Sequence, residues 1–188
     1  MNLPNKLTIV RMVLTPIFLV VFLAPFIPYH YFLGLAVYSI GCITDFLDGK
    51  IARKYNLITT FGKLADPVAD KMLTTAALLA LMDAGLCSLY IVFIVLTREF
   101  AVTSVRLAAS AQGVVIPANI WGKIKTVSQM VSTILIMLFM ALTEINVLTE
   151  QFPLTVISSV LLWITAILAV ISGIIYVKDG VKAIDFNK

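Results

Sequence analysis

The stretch TDFLDGKIARKYNLITTFGKLADPVADK, residues 44–71, sets four aspartates and five cations into a chain that is 61% hydrophobic and only 13% charged. Asp45 and Asp48 are three residues apart, and Asp66 and Asp70 are four apart. On a helix either spacing puts both carboxylates on one face. The 17 residues from Gly49 to Ala65 separate the pairs and let two helix ends confront each other. Four ionised carboxylates converging beside a bilayer repel and are poorly solvated, so positive charge belongs among them. All-oxygen ligation favours a hard cation, Mg²⁺ or Mn²⁺, and the lone His30 with the scattered Cys42 and Cys87 does not suit zinc or copper. Four carboxylates are many for a single Mg²⁺, which keeps several waters; two metals, or one metal and a general base, use the set better.

Small residues accompany the carboxylates. Gly49 follows Asp48 directly, Ala52 lies about one turn on, and Gly62 precedes Asp66 by one turn. Positions without a side chain let a bulky ligand approach the backbone. A metal-bound phosphate whose nucleotide packs on Gly49 and Ala52 is the natural occupant. The alternative is a solvated loop in which Asp48, Asp66 and Asp70 pair with Arg53, Lys63 and Lys71, and it gives the glycines no role.

A second charged group follows in TREFAVTSVRLAASAQG and WGKIKTVSQM. Glu99 and Arg106 are seven residues apart, about 20° off one helical face, a spacing that allows them to pair; Arg98 and Arg106 lie about 80° apart. Arg98, Arg106, Lys123 and Lys125 facing the aspartate-bound metals would form an anion site, which asks for an acceptor that carries its own phosphate. Lys6, Arg11 and the C-terminal lysines read instead as headgroup anchors.

The elements that must hold these groups are apolar helices. The composition is that of an integral membrane protein, and a single domain, 1–188, accounts for the chain. Residues 12–44 carry no charged side chain, too long for one crossing of about 20 residues. Pro25 and Pro28 divide the run into spans over about 10–28 and 31–48. Asp83 and the turn DAGLCS separate a third span from a fourth within 72–97; a fifth covers 126–143 and a sixth 154–177. Threading six spans puts all 14 cations on one side, against Asp83, Glu144 and Glu150 on the other. The positive-inside rule then makes both termini cytoplasmic. The opening NLPNKLTIVR reads as a short interfacial helix, with Leu3, Leu7 and Val10 towards lipid and Lys6 and Arg11 at headgroup level. With the cations placed by topology rather than in a solvated run, no nucleic-acid partner is expected.

The run D-x2-D-G-x2-A-R-x8-G-x3-D-x3-D, formed by Asp45, Asp48, Gly49, Ala52, Arg53, Gly62, Asp66 and Asp70, resembles the CDP-alcohol phosphotransferase family at all eight positions. The resemblance implies a six-helix membrane domain whose aspartates bind a pair of divalent metals and the diphosphate of a CDP-linked lipid. It implies Asp70 as general base, a donor site that includes Gly49, Ala52, Arg53 and Gly62, and a homodimer. The second group, with Gly122, Thr126 and Gln129 beside the four cations, is similar to family members whose acceptor is glycerol 3-phosphate, and Asn5, Thr8 and Arg11 fit the start of such enzymes. The expected reaction is metal-dependent transfer of a phosphatidyl group from CDP-diacylglycerol to glycerol 3-phosphate at the cytoplasmic face of the cell membrane. Inositol phosphate, serine or a second lipid are the alternative acceptors. A divalent-cation transporter is the reading from another class, but its sites lie near the bilayer midplane and often accompany internal repeats, whereas these aspartates sit at helix ends and no repeat is visible.

Overall fold

A computed structural model of the chain describes residues 2–54, 60–114, 116–117, 119–149 and 151–183, leaving aside the side chains of residues 3, 4, 48–50, 52–54, 60, 61, 63, 64, 66 and 183. Among the described residues all regular structure is helical: α1 (Leu3–Leu23), α2 (His30–Lys54), α3 (Thr60–Asp83), α4 (Leu89–Ala111), α5 (Ile120–Glu144) and α6 (Leu154–Ala183).

The helix ends follow from local chemistry. Asn2 caps α1 by accepting from the Asn5 N–H, and Pro4 sits in the first turn, where its missing donor costs nothing. α1 stops at Leu23 rather than near residue 28, because Ala24 precedes Pro25 and is driven to extended backbone. Ser88 and Asn119 cap α4 and α5 through their side-chain oxygens. Gly113 follows α4 at φ +74°, a left-handed conformation that glycine takes without penalty.

Two corrections concern the N-terminus. No separate interfacial helix precedes the first span, since residues 3–23 form one continuous helix. Its polar side is also turned inward: Asn5, Thr8, Arg11 and Thr15 are buried, while Val10, Val13 and Ile17 are exposed. Of the two N-terminal cations, Lys6 keeps the exposed position expected of an anchor and Arg11 does not.

Among the described residues, four helices contain windows long and apolar enough to cross a membrane: Asn5–Leu23, His30–Leu47, Ile120–Glu144 and Leu154–Lys182. α3 and α4 are not among them, for a reason visible in their sequences. The apolar part of α3 runs only from Met72 to Met82 and spans roughly 17 Å, well short of a hydrocarbon core of about 30 Å. Its other half carries the aspartates.

Packing divides the bundle into two groups. α1 packs on α2 and α3, whereas α4 and α5 both pack on α6; contacts of α2 with α5 and of α3 with α4 and α5 join the groups. α3 is enclosed through its apolar length, with Leu73, Ala77, Leu78 and Leu81 almost fully buried. Phe18, Tyr38, Ile91, Ile136, Met137 and Leu162 complete the core. Large apolar side chains on the outside, such as Val20, Phe32, Phe93, Val160 and Ile174, suit hydrocarbon rather than water.

Glycines set two helix approaches that matter below. A Cβ on Gly41 would fall 2.6 Å from Leu73 Cδ2, so α2 meets α3 closely one turn before Asp45 and less than one turn after Asp70. On α6, a Cβ on Gly173 would lie 3.0 Å from Arg98 Cγ, and one on Gly180 would lie 2.1 Å from Val105 Cγ1. Two glycines and two α4 residues, each pair seven apart, thus form one close α4–α6 seam.

Candidate active site

Asp45 lies near the C-terminal end of α2, and Asp70 lies in the first half of α3. The α1–α2–α3 packing brings them to one end of the bundle. Arg11, fully buried on α1, reaches Asp45 with its Nη1 2.6 Å from Oδ1. Asp70 lies within electrostatic reach of Asp45 and Glu99 and of the cations Arg11 and Lys125. Asp48, Gly49, Ala52 and Arg53 lie on the last turns of α2, and Asp66 precedes Asp70 by one turn on α3. The side-chain positions of Asp48, Ala52, Arg53 and Asp66 lie outside the described residues, as does the immediate setting of Gly49. Gly62 is buried on α3. Both helices extend into the stretch between the aspartate pairs, as far as Lys54 and from Thr60.

The expectation that Arg11 is a headgroup anchor is therefore wrong. A guanidinium without solvent exposure needs a countercharge, and the nearby carboxylate of Asp45 supplies one. The signal was present in the sequence: Thr8, Arg11 and Thr15 repeat at helical spacing on a polar stripe, which an interfacial helix would turn to water.

The second cluster is built by α4, α5 and α6. Glu99 Oε1 accepts from Arg98 Nη1 at 2.9 Å and from Lys125 Nζ at 2.5 Å. Lys125 is almost fully buried, and Arg98 Nε donates to Ser172 Oγ of α6 at 3.1 Å. The expected Glu99–Arg106 pair does not form. Arg106 turns instead to α6 and donates from Nη2 to Tyr176 Oη at 3.0 Å. Glu99 is instead engaged by Lys125 of α5, a contact that spacing along α4 alone does not reveal. Lys123 is exposed and stands apart from this buried network. Lys71 Nζ donates to Thr103 Oγ1 of α4, not the contact that the alternative solvated-loop reading would give it.

Sequence reasoning missed Tyr176 and Ser172. Both are buried on an α6 stripe with Ser158 and Thr165, at successive intervals of seven, seven and four residues within otherwise apolar sequence. That periodicity was the available signal.

The two clusters are continuous. From Arg11 and Asp45 through Asp70 to Lys125, Glu99, Arg98, Tyr176 and Arg106, charged and polar groups cross all six helices at one end. At the opposite end Glu144 Oε2 accepts from the Tyr31 N–H at 3.1 Å, and His30 Nδ1 lies 2.7 Å from the Phe22 carbonyl oxygen. Those contacts join α5, α2 and α1 away from the aspartates.

The donor set can be tested against a divalent metal. Among the described residues no three His, Cys, Asp or Glu side chains gather at a metal-binding distance; the side chains of Asp48 and Asp66 lie outside the described residues. What is described fits a hard cation: Asp45 and Asp70 supply oxygen alone, each feels the other's negative charge, and the buried Arg11 shows that this end accommodates positive charge.

An all-helical bundle with apolar outer faces, carrying carboxylates and guanidiniums at one end, has the makeup of a membrane-embedded enzyme acting on anionic substrates. The family model for CDP-alcohol phosphatidyltransferases matches residues 1–172, and the chain belongs to that family. It is a phosphatidyltransferase. Among its relatives is the CDP-diacylglycerol–glycerol-3-phosphate 3-phosphatidyltransferase of Bacillus subtilis (strain 168), 38% identical and covering 97% of each chain. Proteins of the same name from Rickettsia bellii and Rickettsia prowazekii are 36% and 34% identical, each alignment covering 94% of both chains.

Proposed function

We propose that the protein transfers the phosphatidyl group of CDP-diacylglycerol to a hydroxyl of glycerol 3-phosphate, giving phosphatidylglycerophosphate and CMP. The observation that carries this reading is the position of Asp70, electrostatically coupled to Asp45 on one side and to the Glu99–Lys125 pair on the other. A site between two anionic substrates needs that arrangement, with carboxylates for metal and phosphate-binding cations adjoining them. Relatives over nearly the whole chain length carry names that state the same donor and acceptor.

In this reading Asp45, Asp48, Asp66 and Asp70 hold two Mg²⁺ or Mn²⁺ ions. Held by these carboxylates, such ions would supply positive charge against the donor diphosphate and the departing CMP. Gly49, Ala52 and Gly62 leave room for the nucleotide, and Arg53 adds a cation beside it. Arg98, Arg106, Lys123 and Lys125 receive the acceptor phosphate. Asp70 takes the proton of the acceptor hydroxyl as its oxygen attacks the lipid-linked phosphorus and the bond from that phosphorus to the CMP oxygen breaks. Positioning and charge stabilisation supply most of the rate.

The aspartate end faces the cytoplasm, where both termini lie. Six crossings of the cell membrane include α3 and α4, whose polar halves are covered by neighbouring helices or open to the water-filled site. The protein works as a homodimer.

The test is an assay of purified protein in detergent with CDP-diacylglycerol, Mg²⁺ or Mn²⁺, and a panel of acceptors, following CMP release. Glycerol 3-phosphate should give the fastest release. Release equal to that with serine or inositol phosphate would refute the acceptor assignment.

A further inference from the structure

Tyr176 holds the centre of the cationic cluster although neither sequence motif includes it. Its side chain is almost wholly buried on α6. The hydroxyl oxygen accepts from Arg106 Nη2 at 3.0 Å and from the backbone N–H of Asn119, the α5 cap, at 2.8 Å. The same ring lies beneath two guanidiniums, with Arg98 Cζ 5.7 Å and Arg106 Cζ 5.2 Å from its centroid. Gly122 completes the fit. A Cβ there would lie 3.0 Å from Tyr176 Cε2 and 3.4 Å from Arg98 Nη2.

Two guanidiniums repel, and bringing both to one dianion needs a scaffold that fixes their spacing beforehand. A phenol does this in two ways: its π face attracts both cations, and its oxygen accepts a directed bond from one of them. Because that oxygen also holds the Asn119 N–H, the start of α5 that delivers Lys123 and Lys125 is tied to the same point. We infer that Tyr176 is a positioning residue for the acceptor, setting Arg98, Arg106 and the α5 cations to receive a phosphate-bearing alcohol. The inference rests on the proposed acceptor site and adds the group that organises it.

Tyr176→Phe keeps the ring and removes the oxygen. Loss of a hydrogen bond to a charged group should raise the KM for glycerol 3-phosphate about tenfold. The KM for CDP-diacylglycerol and kcat should stay within about twofold, and inorganic phosphate should weaken as a competitive inhibitor by the same factor as the acceptor. Gly122→Ala should act in the same acceptor-selective direction by displacing the ring, and it serves if the Phe variant does not fold. An unchanged acceptor KM overturns the inference, and so does a loss that falls equally on both substrates, because a merely structural tyrosine would give that. If wild-type protein fails to use glycerol 3-phosphate, the acceptor reading itself falls. If the wild type uses it and both variants match it, only the role of Tyr176 falls.

Discussion

Replacing Arg11 with methionine should have opposite effects on stability and on metal affinity. The guanidinium has no solvent exposure, and its nitrogen is 2.6 Å from a carboxylate oxygen whose side chain is 39% exposed. Taking charge centres about 4 Å apart and an effective dielectric of about 20 gives roughly 4 kcal/mol of attraction. Screening at the exposed carboxylate and the desolvation that methionine avoids reduce the net loss to about 2 kcal/mol. That loss should appear in chelator, where Asp45 and Asp70 face each other with one cation fewer. In saturating Mg²⁺ or Mn²⁺ it should shrink, because bound metal stabilises the fold by mass action and supplies the missing charge. Removing a like charge beside the metal site should also lower the Mn²⁺ concentration that half-saturates activity. Thermal unfolding of detergent-purified variant and wild type, each with chelator and with metal, measures the first effect, and metal titration of activity measures the second. Equal destabilisation with and without metal, together with an unchanged half-saturating concentration, would refute the assignment of Arg11 as the countercharge of the aspartate site.

Asp70→Asn should abolish CMP release while CDP-diacylglycerol still binds, as followed by protection from thermal unfolding; wild-type turnover would remove the general-base role. Gly41→Val should push α2 from α3 at the level of Asp45 and Asp70, costing about 1–3 kcal/mol of stability and raising the metal requirement. A variant with normal metal dependence would show that this approach does not set the carboxylate spacing. Glu99→Gln should leave Lys125 buried without its anionic partner and lower the unfolding temperature, by about 3 kcal/mol of stability, unless phosphate or glycerol 3-phosphate is present to replace the lost charge. Equal losses with and without the anion would argue against an acceptor site there.

The sequence made the helix count legible because prolines, glycines and cap residues interrupt apolar runs at nearly every boundary: Pro25 and Pro28 after α1, Ser88 before α4, Gly113 after α4 and Asn119 before α5. It also displayed Asp45 and Asp70, since carboxylates in an apolar chain stand out by cost alone. It did not display their partners. Arg11 lies 34 residues before Asp45 in sequence, and Lys125 lies 26 after Glu99; both pairings depend on which helices pack together, which the spacing within one helix cannot encode. A basic residue near a predicted membrane boundary looks the same whether it anchors or pairs. Burial decides between them, and burial is a tertiary property. Tyr176 escaped notice for a related reason: an isolated tyrosine in an apolar helix is compatible with an interfacial ring or a core ring, and only the approach of two arginines separates those roles.

The pairing of α1–α2–α3 and of α4–α5–α6 gives this distribution a mechanical sense. The aspartates belong to the first group, and the cluster around Glu99 and Tyr176 belongs to the second. Asp70 on α3 is a titratable group at the aspartate end whose charge is felt across the division, as that of Glu144 is at the opposite end. Under the proposed mechanism, a general base there would serve a reaction in which one substrate arrives along each group, because the proton it takes would come from the acceptor while its charge is balanced beside the donor. The close seams stand on either side of that point: Gly41 against Leu73 fixes α2 to α3, and Gly173 with Gly180 fixes α4 to α6. Each group is thus braced internally by small residues, while the contacts between groups near the aspartate end include polar side chains such as Lys71 to Thr103. Polar contacts exchange partners more readily than interlocked apolar side chains, so the α3–α4 contact is where an adjustment between donor and acceptor sites can be tested. Bridging cysteines placed at Lys71 and Thr103 with a short thiol-reactive cross-linker should therefore slow turnover more than it weakens binding of either substrate. Equal turnover in the cross-linked and untreated forms would show that the two groups are already set for chemistry.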